Sequence, residues 1–412
     1  MEDDSDNEEV PTRERGSAWE VLAVAGRLGI TSFGGPIAHL GYFHQEYVIR
    51  RNWIDERGFA DLVALCQMIP GATSSQLGIA IGMGRAGFWG GLAAWAGFTL
   101  PSAIVLVIFA LLVHGSVDPT AGWLHGLMVV AVAVVAQAVW SMARTLAPEI
   151  PRASVALLAA IIGIVAPSSY TQILLIMAGA FAGSVFLRQK EIAPIASTPG
   201  FSEIGRATAI PCLIAFGLIL LGLPILRASM HSQWIAVVDS FYRSGSLVFG
   251  GGHVVLPLLQ REVVPSGWVS NASFLSGYGA AQAVPGPLFS FAAYLGASFT
   301  ATPNGMVGAA LALLAIYLPS FLLVVGLLPF YGALRNRPRV RAALAGVNAS
   351  VVGILLAALY TPVWTSAILG PVDLALALAA FLLLMIWKTR PWIVVVLGAL
   401  VGQALELFLK MV

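Results

Sequence analysis

Two arginines, Arg27 and Arg243, stand in apolar surroundings, each seven residues ahead of a Gly-Gly pair, Gly34-Gly35 and Gly250-Gly251. An arginine inside an apolar stretch is costly, and its presence there is a functional hypothesis by default. Its guanidinium presents several donors in a planar fork, which suits a tetrahedral oxyanion. Glycine lets an anion approach the backbone closely, and the free N–H groups at a helix start supply a positive dipole end. A second break follows in each half of the chain: Gln67, Pro70-Gly71 and Ser75, then Gln282, Pro285-Gly286 and Ser290. The glutamines and serines either donate hydrogen bonds to an oxyanion or satisfy backbone groups freed by the prolines. The candidate cradle is therefore Arg27, Gly34, Gly35, Gln67, Gly71, Ser75, Arg243, Gly250, Gly251, Gln282, Gly286 and Ser290.

Each part of that cradle has a plainer reading. Small residues also serve close helix packing. The arginines could snorkel to an interface or pair with Glu46 and Glu262, which occupy matched places beyond the breaks. Those carboxylates could instead carry a coupling proton if burial raised their pKa; the nearby Arg50 and Arg261 favour ion pairs. His39, His44 and His253 lie near the same breaks but not in matched columns, which favours an interfacial place over a proton relay. Gln137 and Asn348 are lone polar residues whose direction the sequence leaves open.

Long apolar segments must position these residues. A helix needs roughly 20 apolar residues to cross a bilayer. Ala86–Val113, Trp123–Met142, Ala207–Leu226, Met306–Tyr331 and Ala342–Tyr360 qualify. Ala153–Ala166 with Tyr170–Leu187, and Val372–Trp387 with Pro391–Leu409, read as tight helical hairpins. The Gly/Pro-broken segments Trp19–Val48 and Asp61–Met83 have arms too short to span.

The chain repeats itself. Arg27, Gly29, Phe33, Gly34, Gly35, Leu40 and Glu46 recur 216 residues later, from Arg243 to Glu262. Trp53, Phe59, Gln67, Pro70, Gly71 and Ser75 recur 215 residues later, and Leu100-Pro101-Ser102 recurs as Leu318-Pro319-Ser320. Ala207–Leu226 has no counterpart, and an odd connecting span would invert the second half. Arginine placement agrees, because short cytoplasmic loops are enriched in Lys and Arg. The loop after Ala86–Val113 has neither, whereas its counterpart holds Arg335, Arg337, Arg339 and Arg341; the next loops reverse the bias twice. Arg50, Arg51, Arg57 and Arg85 all fall on one side only if each broken segment dips in and returns; ordinary kinked spans are the alternative. The expectation is an all-α polytopic membrane protein with two inverted-topology repeats, four re-entrant helical hairpins and nine spanning helices. Its parts are an acidic N-terminal tail (1–16), a first repeat (17–190), a linker with the unpaired helix (191–230) and a second repeat (231–412), with the N-terminus cytoplasmic.

Composition sets the solvent. Of 412 residues, 58% are hydrophobic and 10% charged, against about 25% charged in soluble domains. Net charge is +2, which gives no reason to expect a nucleic-acid partner. Two separated cysteines make neither a disulfide framework nor a metal cluster, and no cofactor is expected. An intramembrane enzyme would want clustered acids, a metal site or a nucleophile with its base; none stands at usable spacing. The lipid bilayer is the implied partner, and a homo-oligomer is compatible with everything above.

The run Phe33-Gly34-Gly35-Pro36 with Glu46, then Gln67-Met68-Ile69-Pro70-Gly71, resembles the chromate ion transporter family. So does Phe249-Gly250-Gly251-Gly252-His253 with Glu262, then Gln282-Ala283-Val284-Pro285-Gly286-Pro287. The resemblance covers nearly the whole chain, in the long two-domain form. It implies export of chromate across a bacterial inner membrane, driven by the membrane potential or a proton gradient, and chromate resistance. Sulfate shares chromate's shape and charge and is the alternative cargo. Ala72 departs from the pattern: the second half has Pro287 there, so the two tips need not be equivalent.

Overall fold

The computed structural model describes residues 16–33, 35–113, 121–187, 205–331 and 337–411. The acidic tail up to residue 15, Gly34, 114–120, 188–204, 332–336 (with Arg335) and Val412 lie outside these. The described residues form helices joined by turns, with no strand among them.

In the first half, α1 (Ala18–Thr31) ends at a break and α2 (Gly35–Phe43) follows, continuing as a π-type turn, His44–Arg50. α3 (Glu56–Met68) ends at Ile69-Pro70-Gly71. α4 (Thr73–Val113) is two helices in line, interrupted where Ala86 and Gly87 leave helical geometry. α5 (Gly122–Leu146), α6 (Ile150–Val165) and α7 (Ser169–Phe186) complete this half, and α8 (Arg206–Met230) connects. The second half repeats the order: α9 (Gln233–Leu247), α10 (Val255–Val263), α11 (Asn271–Ala283), α12 (Phe291–Ala297), α13 (Gly305–Leu327), α14 (Pro338–Ala358), α15 (Pro371–Met385) and α16 (Pro391–Met411). Caps fix several starts: the Ser17, Asp55, Ser168 and Ser270 side chains each accept a backbone N–H three residues on, which satisfies otherwise orphaned donors of the first turn.

At all four breaks the chain doubles back. Glu20, in the first turn of α1, meets Arg51, just past the π-type turn, at 3.7 Å and Arg85, at the end of the first part of α4, at 3.2 Å. The Arg85 guanidinium also lies over the Trp53 ring, next to the start of α3. In the second half, Ser240 of α9 donates to Glu262 of α10 over 2.8 Å. The Thr300 N–H beyond α12 donates to the Trp268 carbonyl ahead of α11 over 3.0 Å. These closures join the two open ends of each broken segment, which a kinked continuous span would hold far apart.

The nine expected spanning helices are all present as helices. Among the described residues six helical stretches have the length and composition to cross a membrane, and three of the nine are shorter: Ile150–Val165, Tyr170–Phe186 and Pro371–Met385. The α8 helix is nearly unburied within the chain, and Leu218, Leu221 and Ile225 stand on its open surface. Such a face is stable only in an apolar solvent.

Packing joins the halves rather than separating them. Gly29 of α1 lies against the Gly97 and Phe98 carbonyls of α4, as Gly245 of α9 lies against the Ile316 carbonyl of α13. Further on, partners are exchanged. Gly179 and Gly183 of α7 sit against Gly346 of α14, while Gly398 and Gly402 of α16 sit against Gly126 and Gly122 of α5. At these crossings a methyl group would strike backbone, so only small residues allow the helices so near.

Candidate functional site: a glycine-lined cavity at the breaks

The tips of the hairpins meet across the halves. The Gly71 N–H donates to the Val248 carbonyl over 2.7 Å, and the Gly286 N–H donates to the Ser32 carbonyl over 2.9 Å. Val248 and Ser32 are repeat equivalents, as are Gly71 and Gly286, so each second break docks on the other half's first break. Both glycines have left-handed φ, +128° and +104°, where a side chain is strained. A Cβ on Gly71 would strike the Ser320 hydroxyl, and one on Gly286 would press on its equivalent, Ser102.

Beside this junction lies a cavity of about 180 Å³, lined by Gly35, Gly250, Gly251, Gln282 and Gly286 together with His253, Gln137 and Ser141. Five sequence-predicted residues therefore converge. The cavity is lopsided: the second half supplies both glycines of its first break, its Gln and its second-break Gly, whereas Gly35 is the predicted residue from the first half. Gly34 lies outside the described residues. Its lining among the described residues has no Lys, Arg, Asp or Glu.

The remaining predicted residues are elsewhere. Arg27 is on the exposed side of α1, and Gln67, the equivalent of Gln282, is exposed. Gly71 packs under Gln76 and Ser320. Ser75 and Ser290 are buried and internally bonded, Ser75 to Tyr317 at 3.5 Å and Ser290 to the Pro287 carbonyl at 2.7 Å. Arg243 does not reach the cavity. It bonds Asp239 and Glu262 at 3.0 Å each, in a cluster that Arg227 joins from α8 at 3.0 and 3.5 Å. Glu262 thus pairs with Arg243 and Arg227, not with Arg261, which donates to the Ser168 and Gly163 carbonyls. Glu46 accepts from Arg51 at 2.7 Å and Arg50 at 3.1 Å, not from Arg27. Burial alone would push the Glu46 carboxyl up; the hydrogen bonds and charges of Arg51 and Arg50 outweigh it and hold the pKa below its ordinary value.

The cavity's polar groups are donors or neutral amides. Gln282 Nε2 is buried without a hydrogen-bond partner, and Asn348 Oδ1, likewise unpartnered, lies near Gly250. The His253 Nδ1 is 2.8 Å from the Tyr278 hydroxyl, and its Nε2 faces Gly35 across the space. An unpartnered buried donor calls for an acceptor, and backbone freed at helix breaks can bind an anion. Sequence reasoning set His253 aside because no histidine stands in its matched column, and left Gln137 undirected. The usable signal was that each is a lone polar residue in an apolar stretch, His253 beside a break and Gln137 within α5.

The architecture is that of a multi-pass membrane protein with paired broken hairpins at its centre. The sequence pattern of the chromate transporter family matches residues 19–184 and again 235–403, and the chain belongs to that family. It is 26% identical over 336 residues to a probable chromate transport protein of Synechococcus elongatus, covering 81% of each chain. It is 24% identical over 386 residues to the chromate transport protein of Cupriavidus metallidurans, covering 91% of this chain and 90% of that one. The chromate transport protein of Pseudomonas aeruginosa is also 24% identical, over 393 residues, 90% of this chain and 88% of the relative. No solved structure matches the chain.

Proposed function

We propose that this protein is a secondary transporter that exports chromate from the cytoplasm, with the cavity at the breaks as its binding site. The observation that carries the proposal is that Gln282, whose buried Nε2 has no hydrogen-bond partner, lines one cavity with Gly35, Gly250, Gly251 and Gly286. Broken helices at paired positions of two repeats are where secondary transporters bind their cargo. Backbone N–H groups, an amide and an imidazole can hold a tetrahedral dianion without a fixed cation. The relatives' names supply chromate as the cargo; sulfate fits the same chemistry.

Membrane orientation follows the arginines. Arg50, Arg51, Arg57 and Arg85 crowd the open ends of the first two hairpins, which belong on the cytoplasmic side by the positive-inside tendency. The equivalent ends in the second half, around Gly267 and Thr300, carry no Lys or Arg from 265 to 273 or 298 to 305. The two repeats, 17–190 and 231–412, are then inverted about the single connecting helix, with the N-terminus inside a bacterial inner membrane.

The membrane potential is sufficient drive. Moving a dianion out of a negative interior gains about 4.6 kcal/mol per 100 mV. That supports a gradient of roughly a thousandfold at about 1.4 kcal/mol per decade. Everted vesicles given labelled chromate and an interior-positive potential at fixed pH test this. Accumulation that collapses when the potential is dissipated is expected. Uptake of sulfate alone would keep the site and remove the cargo; uptake of neither oxyanion would overturn the proposal.

A further inference from the structure

We propose that His253 is the anion's charged ligand and that chromate and one proton bind to this cavity together; this rests on the cavity being the oxyanion site. Among the described lining residues His253 is the one side chain that can take up a proton to become a cation. Its ring is aimed. Nδ1 is held by the Tyr278 hydroxyl at 2.8 Å, and Nε2 looks across the cavity toward Gly35, 3.9 Å from where a Cβ on that residue would stand. With a neutral ring, Tyr278 donates to Nδ1 and the proton sits on Nε2, facing the anion. With a charged ring, Nδ1–H donates to the Tyr278 oxygen and Nε2–H still faces the anion. The hydroxyl serves both states by turning its proton, so protonation needs no rearrangement.

The surroundings make the anion itself the source of the ring's charge. Tyr278, on α11, is the titratable group in contact with the imidazole. The charged groups of the other packed elements are engaged or turned away. On α10, Arg261 is bonded to the Ser168 and Gly163 carbonyls and Glu262 to Arg243. On α14, Arg339 is exposed and Arg341 belongs to the first turn; on α5, Arg144 is exposed; ahead of α16, Arg390, next to the lining residue Pro391, is exposed. A dianion entering the cavity is then the one charge beside the ring, and it favours the imidazolium. The equivalents of His253 and Tyr278 in the first half are Ile37 and Val63, so that half cannot make such a pair, and each chain has one proton-linked site.

The sign follows. The anion-bound ring holds its proton more tightly than the empty one, so binding strengthens as pH falls through the bound-state pKa and weakens above it. For one linked proton the affinity changes by at most about tenfold per pH unit. The test is calorimetric titration of the purified full-length protein with potassium chromate between pH 6 and 8. It is run in two buffers of different ionisation enthalpy and repeated with His253→Gln and Tyr278→Phe. Chromate's own protonation is common to all three proteins and cancels in the comparison. Wild type should take up protons on binding that H253Q does not. Its affinity should fall with pH relative to a flat H253Q profile, and Y278F should weaken the linkage while leaving binding measurable. Equal proton uptake in wild type and H253Q, or none in wild type, overturns the inference and leaves the cavity as the site. Should H253Q fail to fold, a Y278F linkage equal to wild type overturns it instead. Absence of chromate binding to wild type would sink the cavity reading itself, and this inference with it.

Discussion

The Gly71 N–H and the Val248 carbonyl, 2.7 Å apart, tie the second break of one half to the first break of the other. Gly286 and Ser32 make the equivalent bond in reverse. The hairpin tips are thus braced against each other, and the cavity lies beside that brace.

Replacing Gly71 with alanine should destabilise the fold by about 1–3 kcal/mol, because the left-handed backbone resists a Cβ and the methyl would meet Ser320 and Gln76. Thermal unfolding in detergent reads the loss. Gly87→Ala is the contrast: its φ is also positive, but nothing lies within 4 Å of the added carbon, so its loss should be the smaller.

The repeat equivalents Gln282 and Gln67 should behave differently. Gln282→Leu removes an unpartnered donor from the cavity and should weaken chromate affinity about tenfold, as expected for a hydrogen bond to a charged acceptor. Gln67→Leu alters an exposed residue and should leave affinity unchanged. Equal effects at the two positions would contradict a lopsided site.

Glu262 is bonded to Arg243 and approached by Arg227. Glu262→Gln strands cationic charge in a largely enclosed cluster and should cost about 3 kcal/mol. The double change of Arg243 and Glu262 to Met leaves the Arg227–Asp239 pair intact and should cost less. A double-mutant cycle on unfolding midpoints measures the difference.

Glu46 provides a pH signature. Its carboxyl is held below the ordinary value of 4.5 in the folded chain. The stability it contributes is therefore present above about pH 4.5 and lost as pH falls through the lower, folded-state value. Unfolding midpoints measured from pH 6 downward should fall more steeply for wild type than for Glu46→Gln. Identical profiles would remove the ion pairs with Arg50 and Arg51 from the stability account.

Much of the fold could be read in the sequence because a bilayer leaves few options: apolar length marks the helices, and Gly-Pro marks the breaks. The repeat also located the second pair of hairpins, since Arg, Trp and Gln hold register where apolar residues would not. The site was only partly legible. Gly35, Gly250, Gly251, Gln282 and Gly286 do converge, but Arg243 turns to Asp239, four residues back on its own helix, and Arg27 faces outward. Repeat logic assigns equal roles to equivalent residues, so it passed over His253 and its partner Tyr278, whose first-half equivalents are the apolar Ile37 and Val63. Which of two matched glutamines faces a cavity depends on helix rotation at the breaks, and apolar periodicity is too uniform there to fix it.

The exchange of partners among the last helices sets a timetable for synthesis. α6 and α7 pack on α14, and Pro338 follows Phe186 by 152 residues. At about 5–20 residues per second the ribosome needs roughly 8–30 s to supply that surface. Until then the glycine face of α7 has only lipid beside it, and lipid gives no close backbone contact. α5 waits longer still, for α15 and α16. The first half therefore cannot mature before the second is made.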